Sequence, residues 1–102
     1  MKYFYVYIMA SQKNGTLYTG ITKDLVGRVY QHKNDYVEGF TKKYQIHNLV
    51  YYEQYDNAES AIIREKRLKK WNRSWKIKLI DEMNPSWTDL YEDFMDSQSS
   101  WE

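Results

Sequence analysis

The chain has 102 residues and a formal net charge of +1, a length that allows one domain with its own core. It contains no cysteine, which excludes disulfides, thiolate zinc sites and a cysteine nucleophile. No apolar stretch approaches the roughly 18 residues that a membrane span requires, and the amino-terminal residues do not resemble a secretion signal. We therefore expect a cytoplasmic protein without a membrane partner.

The small net charge conceals a strong asymmetry along the chain. Residues 1–80 carry all 15 Lys and Arg together with 7 acidic residues, whereas residues 81–102 carry the other 7 acids. A basic body attracts polyanions, and nucleic acid is the commonest such partner. The pattern also fits a solvated surface with a mild lysine excess, so charge alone leaves both interpretations open.

The amino-terminal half predicts a β-hairpin followed by a helix. Aromatic and β-branched residues fill Lys2 to Ala10, turn-forming residues follow at 11–15, and residues 16–22 are typical of a returning strand. From Asp24 to about Asp35, apolar residues recur at three- and four-residue spacing, which predicts a helix. Residues 33–47 are polar, basic and irregular.

The second half predicts one strand and two helices. Leu49 to Tyr55 is typical of a strand whose direction the sequence leaves open. A helix is predicted from Asn57 to about Trp71, because Asp56 and Glu59 match a capping box at its start. A shorter helix from about Trp75 to Met83 ends before a proline.

The order β-β-α-β-α-α predicts a small α+β domain over residues 1–85. We expect a three-stranded, mostly antiparallel sheet flanked by helices. Residues 86–102 are acidic and rich in serine, with at most one helical turn, and we predict a flexible tail that screens the basic body.

Glu65 is the most unusual residue of the longer helix. It lies within an apolar stripe at helical spacing and is the only acid in a strongly basic stretch. A carboxylate that faces the domain needs a positive partner, because burying an unpaired charge is costly. That partner is either a neighbouring Arg or Lys in a core ion pair, or Mg²⁺, which takes one or two carboxylates together with water and phosphate.

Arg28 and His32 are four residues apart on the first helix and can reach toward one point. The planar guanidinium suits a phosphate, to which it donates two hydrogen bonds. The same pair also fits an arginine at the edge of the core beside a hydrogen-bonded histidine. Both interpretations stay open at the level of sequence.

Tyr7 and Tyr18 stand out among the 11 tyrosines, most of which must pack in the core. Ten residues separate them, so they lie on opposite arms of the predicted hairpin, and a turn centred near Gln12 and Lys13 brings them close together. Gly20 follows in the second arm, where a glycine allows a ligand or backbone to approach closely.

Together these residues resemble the signature of the GIY-YIG nuclease superfamily. The resemblance covers about the first 80 residues. Within the superfamily, the chain resembles the small stand-alone bacterial branch and the N-terminal catalytic domain of excision-repair nucleases. Its motifs here are Tyr5-Val6-Tyr7, Tyr18-Thr19-Gly20, Leu25, Arg28, His32, Glu65 with its neighbours Arg64 and Lys66, Lys69-Lys70-Trp71 and Asn84-Pro85-Ser86-Trp87.

The resemblance implies a catalytic role for each matching residue. Family members hydrolyse phosphodiesters with one divalent cation, which implies Mg²⁺, or Mn²⁺, on Glu65 and phosphate neutralisation by Arg28. His32 matches a frequent family histidine. Tyr7 would deprotonate or orient the attacking water and Tyr18 would position it, or the two tyrosines would exchange these roles. A phenol with a pKa of about 10 needs help to act as a base at neutral pH.

The resemblance is incomplete at one position. Many members place an asparagine after the glutamate, but Asn72 comes too early and Asn84 lies in a turn with proline. No appended DNA-recognition domain accompanies the match, so the target stays open.

We expect a set of basic side chains, together with one glycine of the hairpin, to bind nucleic acid. Trp71 and Trp75, which lie among them, would either stack on unpaired bases or pack inward, and we expect packing. The predicted nucleic-acid-binding residues are Gly20, Lys42, Lys43, Arg67, Lys70 and Arg73.

The sequence therefore predicts a monomeric, magnesium-dependent endonuclease that acts on DNA rather than RNA, in repair or processing. Two alternatives keep the same fold. One is a nucleic-acid-binding module without turnover. The other is a protein-interaction domain in which the basic body and acidic tail mediate self-association.

Overall fold

A three-stranded antiparallel sheet forms the centre of the protein. The computed structural model describes residues 2–98. The strands are β1 (Phe4–Ala10), β2 (Leu17–Thr22) and β3 (Asn48–Tyr55), in the spatial order β2-β1-β3. Both neighbours run antiparallel to β1, which fixes the direction of β3 that the sequence left open. The predicted α+β class with a three-stranded sheet is confirmed.

Helices flank the sheet, and none in residues 2–98 is long and apolar enough to cross a membrane. Asn57, rather than Asp56, caps the start of the longest helix, because its side chain accepts a hydrogen bond from the Ser60 N–H at 2.8 Å. The cap residue is therefore one position later than predicted. Within residues 2–98 the helices are α1 (Leu25–Lys33), α2 (Phe40–Lys43), α3 (Ala58–Lys70), α4 (Arg73–Met83) and α5 (Tyr91–Gln98). The short α2 lies in the segment predicted to be irregular.

The central strand β1 separates two cores, because successive side chains point to opposite faces of a sheet. On one face Tyr5, Tyr7 and Met9 pack with the apolar side of α1. On the other face Val6 packs against α3, and Ile8 packs against α4. The sheet thus holds α1 and α3 on opposite sides, and α3 also lies along the edge strand β2.

Residues 86–98, which composition predicted to be a flexible tail, contain two aromatic side chains that pack on the body of the domain. Trp87 is buried against the core beside α4, and Phe94 is buried on the α1 side. The Phe94 ring meets the Tyr5 ring edge-on at 5.4 Å, and α5 packs against α1. Burial of two large aromatic side chains stabilises this segment despite its acidic surface. The part of the predicted tail at 99–102 lies outside the described residues.

Candidate active site

The hairpin brings the two candidate tyrosines together. Its register pairs Tyr7 with Gly20 and Met9 with Tyr18, so both tyrosines lie on the same face of the sheet. Their ring centroids are 6.3 Å apart, which confirms that they are close across the strands. They are diagonal neighbours rather than directly opposite, because the hairpin is centred one residue later than predicted.

Gly20 makes room for Tyr7. A Cβ atom at position 20 would lie 2.5 Å from the Tyr7 hydroxyl oxygen and 2.6 Å from the ring carbon that carries it. Such distances are far inside van der Waals contact, so a side chain at position 20 would displace the phenol. The sequence predicted that this glycine allows a ligand or backbone to approach closely, and the structure adds that it leaves space for the Tyr7 side chain.

Tyr7 is the first member of a buried chain of hydrogen-bonding groups. Its hydroxyl lies 3.2 Å from Nε2 of His32, and Nδ1 of His32 lies 3.1 Å from the Thr41 hydroxyl. All three residues are buried, and the Tyr18 ring lies 5.2 Å from the imidazole. Thr41 had no sequence signal, because it occupies a polar segment nine residues beyond His32.

Burial governs the protonation of this chain. Burial lowers the pKa of His32 to about 4, with smaller contributions from Arg28 and His47, so the imidazole is neutral at pH 7. Burial also raises the pKa of the Tyr7 phenol well above its usual value, as do the nearby Tyr18 and Glu65, while Arg28 acts in the opposite direction. At neutral pH the site therefore holds a protonated phenol beside a neutral histidine.

Arg28 lies on α1 at the exposed edge of this group. It precedes His32 by one helical turn, and its charge favours lower pKa values for both Tyr7 and His32. Within residues 2–98 its side chain has no hydrogen-bond or ion-pair partner. The guanidinium is therefore available to a phosphate brought to this edge.

Glu65 reaches the same region from α3. Its side chain is only 11% exposed, and its Oε2 lies 2.5 Å from Nζ of Lys69, one helical turn later. The core ion pair that the sequence left open is therefore present, and Lys69 is the partner. The charge of Glu65 contributes to the raised pKa of Tyr7, and α3 lies along β2, the strand that carries Tyr18 and Gly20.

A single carboxylate of this site fits a divalent cation that takes most of its other ligands from water and substrate. Within residues 2–98 no group of three or more His, Cys, Asp or Glu side chains could enclose a metal ion. What the site offers is one buried carboxylate, that of Glu65, whose side chain has no other described partner than Lys69. Mg²⁺ and Mn²⁺ accept hard oxygen ligands, and Mg²⁺ is commonly held by one or two carboxylates plus phosphate.

The predicted nucleic-acid-binding lysines and arginines lie in two separate regions. Lys42 and Lys43 lie on α2, are exposed, and contact Glu38 and the Tyr44 ring respectively. Arg67 and Lys70 are exposed on α3. Within residues 2–98 no hydrogen bond, ion pair or ring contact joins the α2 lysines to the α3 pair.

Arg73 and the two tryptophans lie at the junction of α3 and α4. Arg73 donates hydrogen bonds to the backbone carbonyls of Asn14 and Gly15, so it also ties α4 to the hairpin turn. Trp71 packs partly inward, as expected, but Trp75 is 55% exposed with its ring edge-on to Trp71 at 5.7 Å. The expected inward packing is therefore wrong for Trp75.

Both asparagines considered for the family position have structural roles. Asn72 caps α4 by accepting a hydrogen bond from the Trp75 N–H at 2.9 Å. Asn84 is buried, and its amide donates to the Val50 and Thr88 carbonyls. Among residues 2–98 neither side chain has a described contact with Tyr7, Arg28 or Glu65, so the structure assigns neither of them to the family position.

The depressed pKa of His32 predicts a measurable loss of stability in acid. The unfolded histidine takes up a proton below about pH 6.5, whereas the folded one stays neutral until about pH 4. The free energy of unfolding should therefore fall between these values, by about 3 kcal/mol in total. Urea unfolding at pH 7 and pH 4.5 should show this loss in the native chain.

His32→Gln is the control for that measurement. Its amide cannot titrate, so its stability should fall less over the same pH range. Carboxylates such as Glu53, whose pKa Arg64 and two tyrosine hydroxyls hold down against the effect of burial, contribute equally to both proteins. Equal pH dependence in the two proteins would contradict a neutral, buried His32.

Most of the chain matches a known family of catalytic domains. Residues 3–78 match the family model described as the GIY-YIG catalytic domain. The match covers most of the chain and contains the hairpin, Arg28, His32 and Glu65. The chain therefore belongs to the GIY-YIG family, a family of nuclease domains that generally depend on a divalent metal and act on nucleic acid.

The relatives are small stand-alone proteins of similar length. UPF0213 protein SSP2268 of Staphylococcus saprophyticus is 40% identical over 78 residues, which are 76% of this chain and 94% of that protein. A UPF0213 protein of Pediococcus pentosaceus is 36% identical over 87 residues, which are 85% of this chain and 90% of that protein. The solution NMR structure of UPF0213 protein BH0048 from Bacillus halodurans is 29% identical, with a TM-score of 0.49, and covers 78% of this chain and 83% of that one.

Proposed function

We propose that this protein is a metal-dependent endonuclease that hydrolyses phosphodiester bonds of DNA at the site formed by Tyr7, Tyr18, Arg28, His32 and Glu65. One observation carries the proposal: the buried Tyr7–His32 hydrogen bond lies one helical turn along α1 from Arg28, whose side chain has no hydrogen-bond or ion-pair partner among residues 2–98, and α3, which packs on the same hairpin, carries the buried Glu65. A candidate base, a phosphate binder and a metal ligand of this kind are what hydrolysis of a phosphodiester requires. We further propose that the protein acts as a monomer in DNA repair or processing.

In the proposed reaction a water oxygen bonds to phosphorus while the bond to the leaving oxygen breaks. The Tyr7 oxygen accepts a proton from the attacking water, and the phenol's own proton passes to the neutral Nε2 of His32. In this proposal Nδ1–H of His32 donates to the Thr41 hydroxyl and Nε2 accepts from Tyr7, a tautomer that the 3.1 Å and 3.2 Å contacts allow. This relay explains how a phenol of raised pKa assists a base-catalysed step without first becoming a phenolate.

Arg28 and Tyr18 orient the substrate around this relay. The guanidinium donates to non-bridging phosphate oxygens and offsets charge that grows in the transition state. The Tyr18 ring restricts the position of the imidazole and the water from the other arm of the hairpin. Glu65 would hold Mg²⁺ or Mn²⁺, which when bound supplies positive charge to the phosphate and the leaving oxygen.

A non-catalytic nucleic-acid-binding module is the second candidate, and one observation favours it. The Glu65 carboxylate already has a cationic partner in Lys69, which satisfies its charge without a metal. In that case the fold and the basic surface would bind nucleic acid without cutting it.

Cleavage of labelled DNA by the purified protein distinguishes the two candidates. Single-stranded, duplex and branched DNA, and single-stranded RNA of the same sequence, would be incubated with Mg²⁺, with Mn²⁺ or with EDTA. The nuclease proposal expects cleavage of at least one DNA substrate that EDTA abolishes. Binding to these substrates without metal-dependent cleavage of any of them would favour the binding module.

A further inference from the structure

The strongest unexplained feature of the site is that one carboxylate has two possible cationic partners. Lys69 contacts Glu65 directly, yet Glu65 is also the buried carboxylate best placed to hold a divalent cation. An ammonium at Oε2 of Glu65 repels a divalent ion at either oxygen of the same carboxylate. The ion pair with Lys69 and metal binding at Glu65 therefore oppose each other.

We propose that Lys69 is a displaceable placeholder for the metal: its ammonium pairs with Glu65 in the metal-free protein and leaves the carboxylate when a divalent cation binds. The inference rests on the proposed function, because it takes Glu65 to be the metal ligand. It adds a positioning residue that the family match does not assign.

The unequal exposure of the two side chains determines which of them moves. Glu65 is 11% exposed and lies between Ala61 and Leu68 on the buried side of α3, so its carboxylate is held in place. The Lys69 side chain is 53% exposed and carries its charge on a flexible four-carbon stem. The ammonium can therefore turn into solvent without disturbing the core.

The placeholder has a clear physical benefit in the metal-free protein. A buried carboxylate without a partner is strongly destabilising, so an empty metal site would weaken the packing of α3 on the sheet. Lys69 prevents this from one helical turn away, in the favourable order with the acid on the amino-terminal side. The site thus stays folded before metal and substrate arrive.

The surroundings of Lys69 indicate where its charge is used after displacement. Burial lowers the pKa of Lys76, and the charge of Lys69 lowers it further. Lys76 has no hydrogen-bond or ion-pair partner among residues 2–98. After displacement, the Lys69 ammonium would be free, like that of Lys76, to pair with the negative charge of a substrate phosphate.

Mn²⁺ binding tests the placeholder without measuring catalysis. Lys69→Met keeps an apolar stem and removes the competing charge, while Lys66→Met makes the same change on an exposed position of the same helix. Electron paramagnetic resonance of free Mn²⁺ should show affinity raised roughly threefold to tenfold in Lys69→Met. It should change by less than about twofold in Lys66→Met.

Thermal unfolding of the same proteins provides the second readout. In EDTA, Lys69→Met should unfold a few degrees below the native chain because its carboxylate lacks a partner, and Mn²⁺ should restore most of the loss. The Mn²⁺-dependent rise should be larger than in the native chain and absent from the Glu65→Gln/Lys69→Met double variant. If Lys69→Met does not fold in EDTA, Lys69→Gln, which keeps a neutral donor, serves for both measurements.

Three results would overturn the placeholder. Equal Mn²⁺ affinity in Lys69→Met and Lys66→Met would mean that Lys69 does not compete with the metal. Weaker affinity in Lys69→Met would mean that Lys69 supports the metal instead. Unchanged affinity in Glu65→Gln alone would remove Glu65 as the ligand and with it the metal site of the proposed function, whereas the first two results leave that function intact.

Discussion

Glu65→Gln is expected to lower metal-dependent cleavage by at least about 10³-fold while changing nucleic-acid affinity by less than about twofold. The amide has nearly the shape of the carboxylate but lacks the charge that a divalent cation requires. Binding should persist because the exposed basic residues Arg67 and Lys70 are unchanged. Single-turnover cleavage and fluorescence anisotropy with the same labelled DNA would measure the two effects separately.

Glu59→Gln is the matched control for this variant. Glu59 lies on the same helix, but it is exposed in the first turn and has no described contact with Tyr7, His32 or Glu65 among residues 2–98. The Glu59→Gln protein should cleave at nearly the native rate, since the substitution removes a charge outside the candidate site. Urea unfolding would exclude loss of structure as the cause in Glu65→Gln. Cleavage by folded Glu65→Gln at the native rate would leave only a structural role for the Glu65–Lys69 pair.

The sequence predicted the sheet and the principal helices because their signals are local. Alternating aromatic residues around Tyr5 and Tyr7 require a strand, and the three- and four-residue spacing of Leu25 and Val29 requires a helix. The direction of β3 depends on pairing with a strand more than 40 residues earlier in the chain, as in the Tyr7–Tyr52 pair. No local pattern contains that information.

The tail shows where composition misleads. Its acids and serines outnumber its apolar residues. A composition summed over the whole segment hides the positions of Trp87 and Phe94. Two well-placed aromatic side chains decide the outcome, because Trp87 and Phe94 are both buried in cores built by the sheet. The burial of Phe94 depends on Tyr5, 89 positions earlier, which only the fold reveals.

The sequence identified the candidate site residues, but it did not predict the hydrogen bonds and ion pairs that join them to other side chains. Spacing placed Tyr7 with Tyr18 and singled out Arg28, His32 and Glu65, and the family resemblance gave these residues their expected roles. Thr41 was missed because a lone threonine in a polar segment carries no periodic signal. Lys69 had one usable signal, its position four residues after Glu65, but many basic neighbours share that stretch of helix and only geometry selects among them.

Tyr7→Phe is expected to lower cleavage by about 10² to 10³-fold, because it removes the oxygen that accepts the water's proton. Tyr18→Phe is the matched comparison on the facing arm of the hairpin, and no hydrogen bond from its hydroxyl to His32 is present among residues 2–98. We expect it to lose about tenfold or less, since its ring still restricts His32. Equal losses in the two variants would contradict the assignment of Tyr7 as the base.

Gly20→Ala tests whether cleavage depends on where the Tyr7 hydroxyl lies, because it displaces the hydroxyl without removing it. The added methyl would lie 2.5 Å from the Tyr7 oxygen, so the phenol must move away from His32 although its hydroxyl is retained. Cleavage should therefore fall almost as far as in Tyr7→Phe, with stability lowered by about 1 to 3 kcal/mol from overpacking. Combining both changes should cost little more cleavage than either alone, because both disable one relay. Native cleavage in a folded Gly20→Ala protein would mean that the Tyr7–His32 hydrogen bond has no part in the reaction.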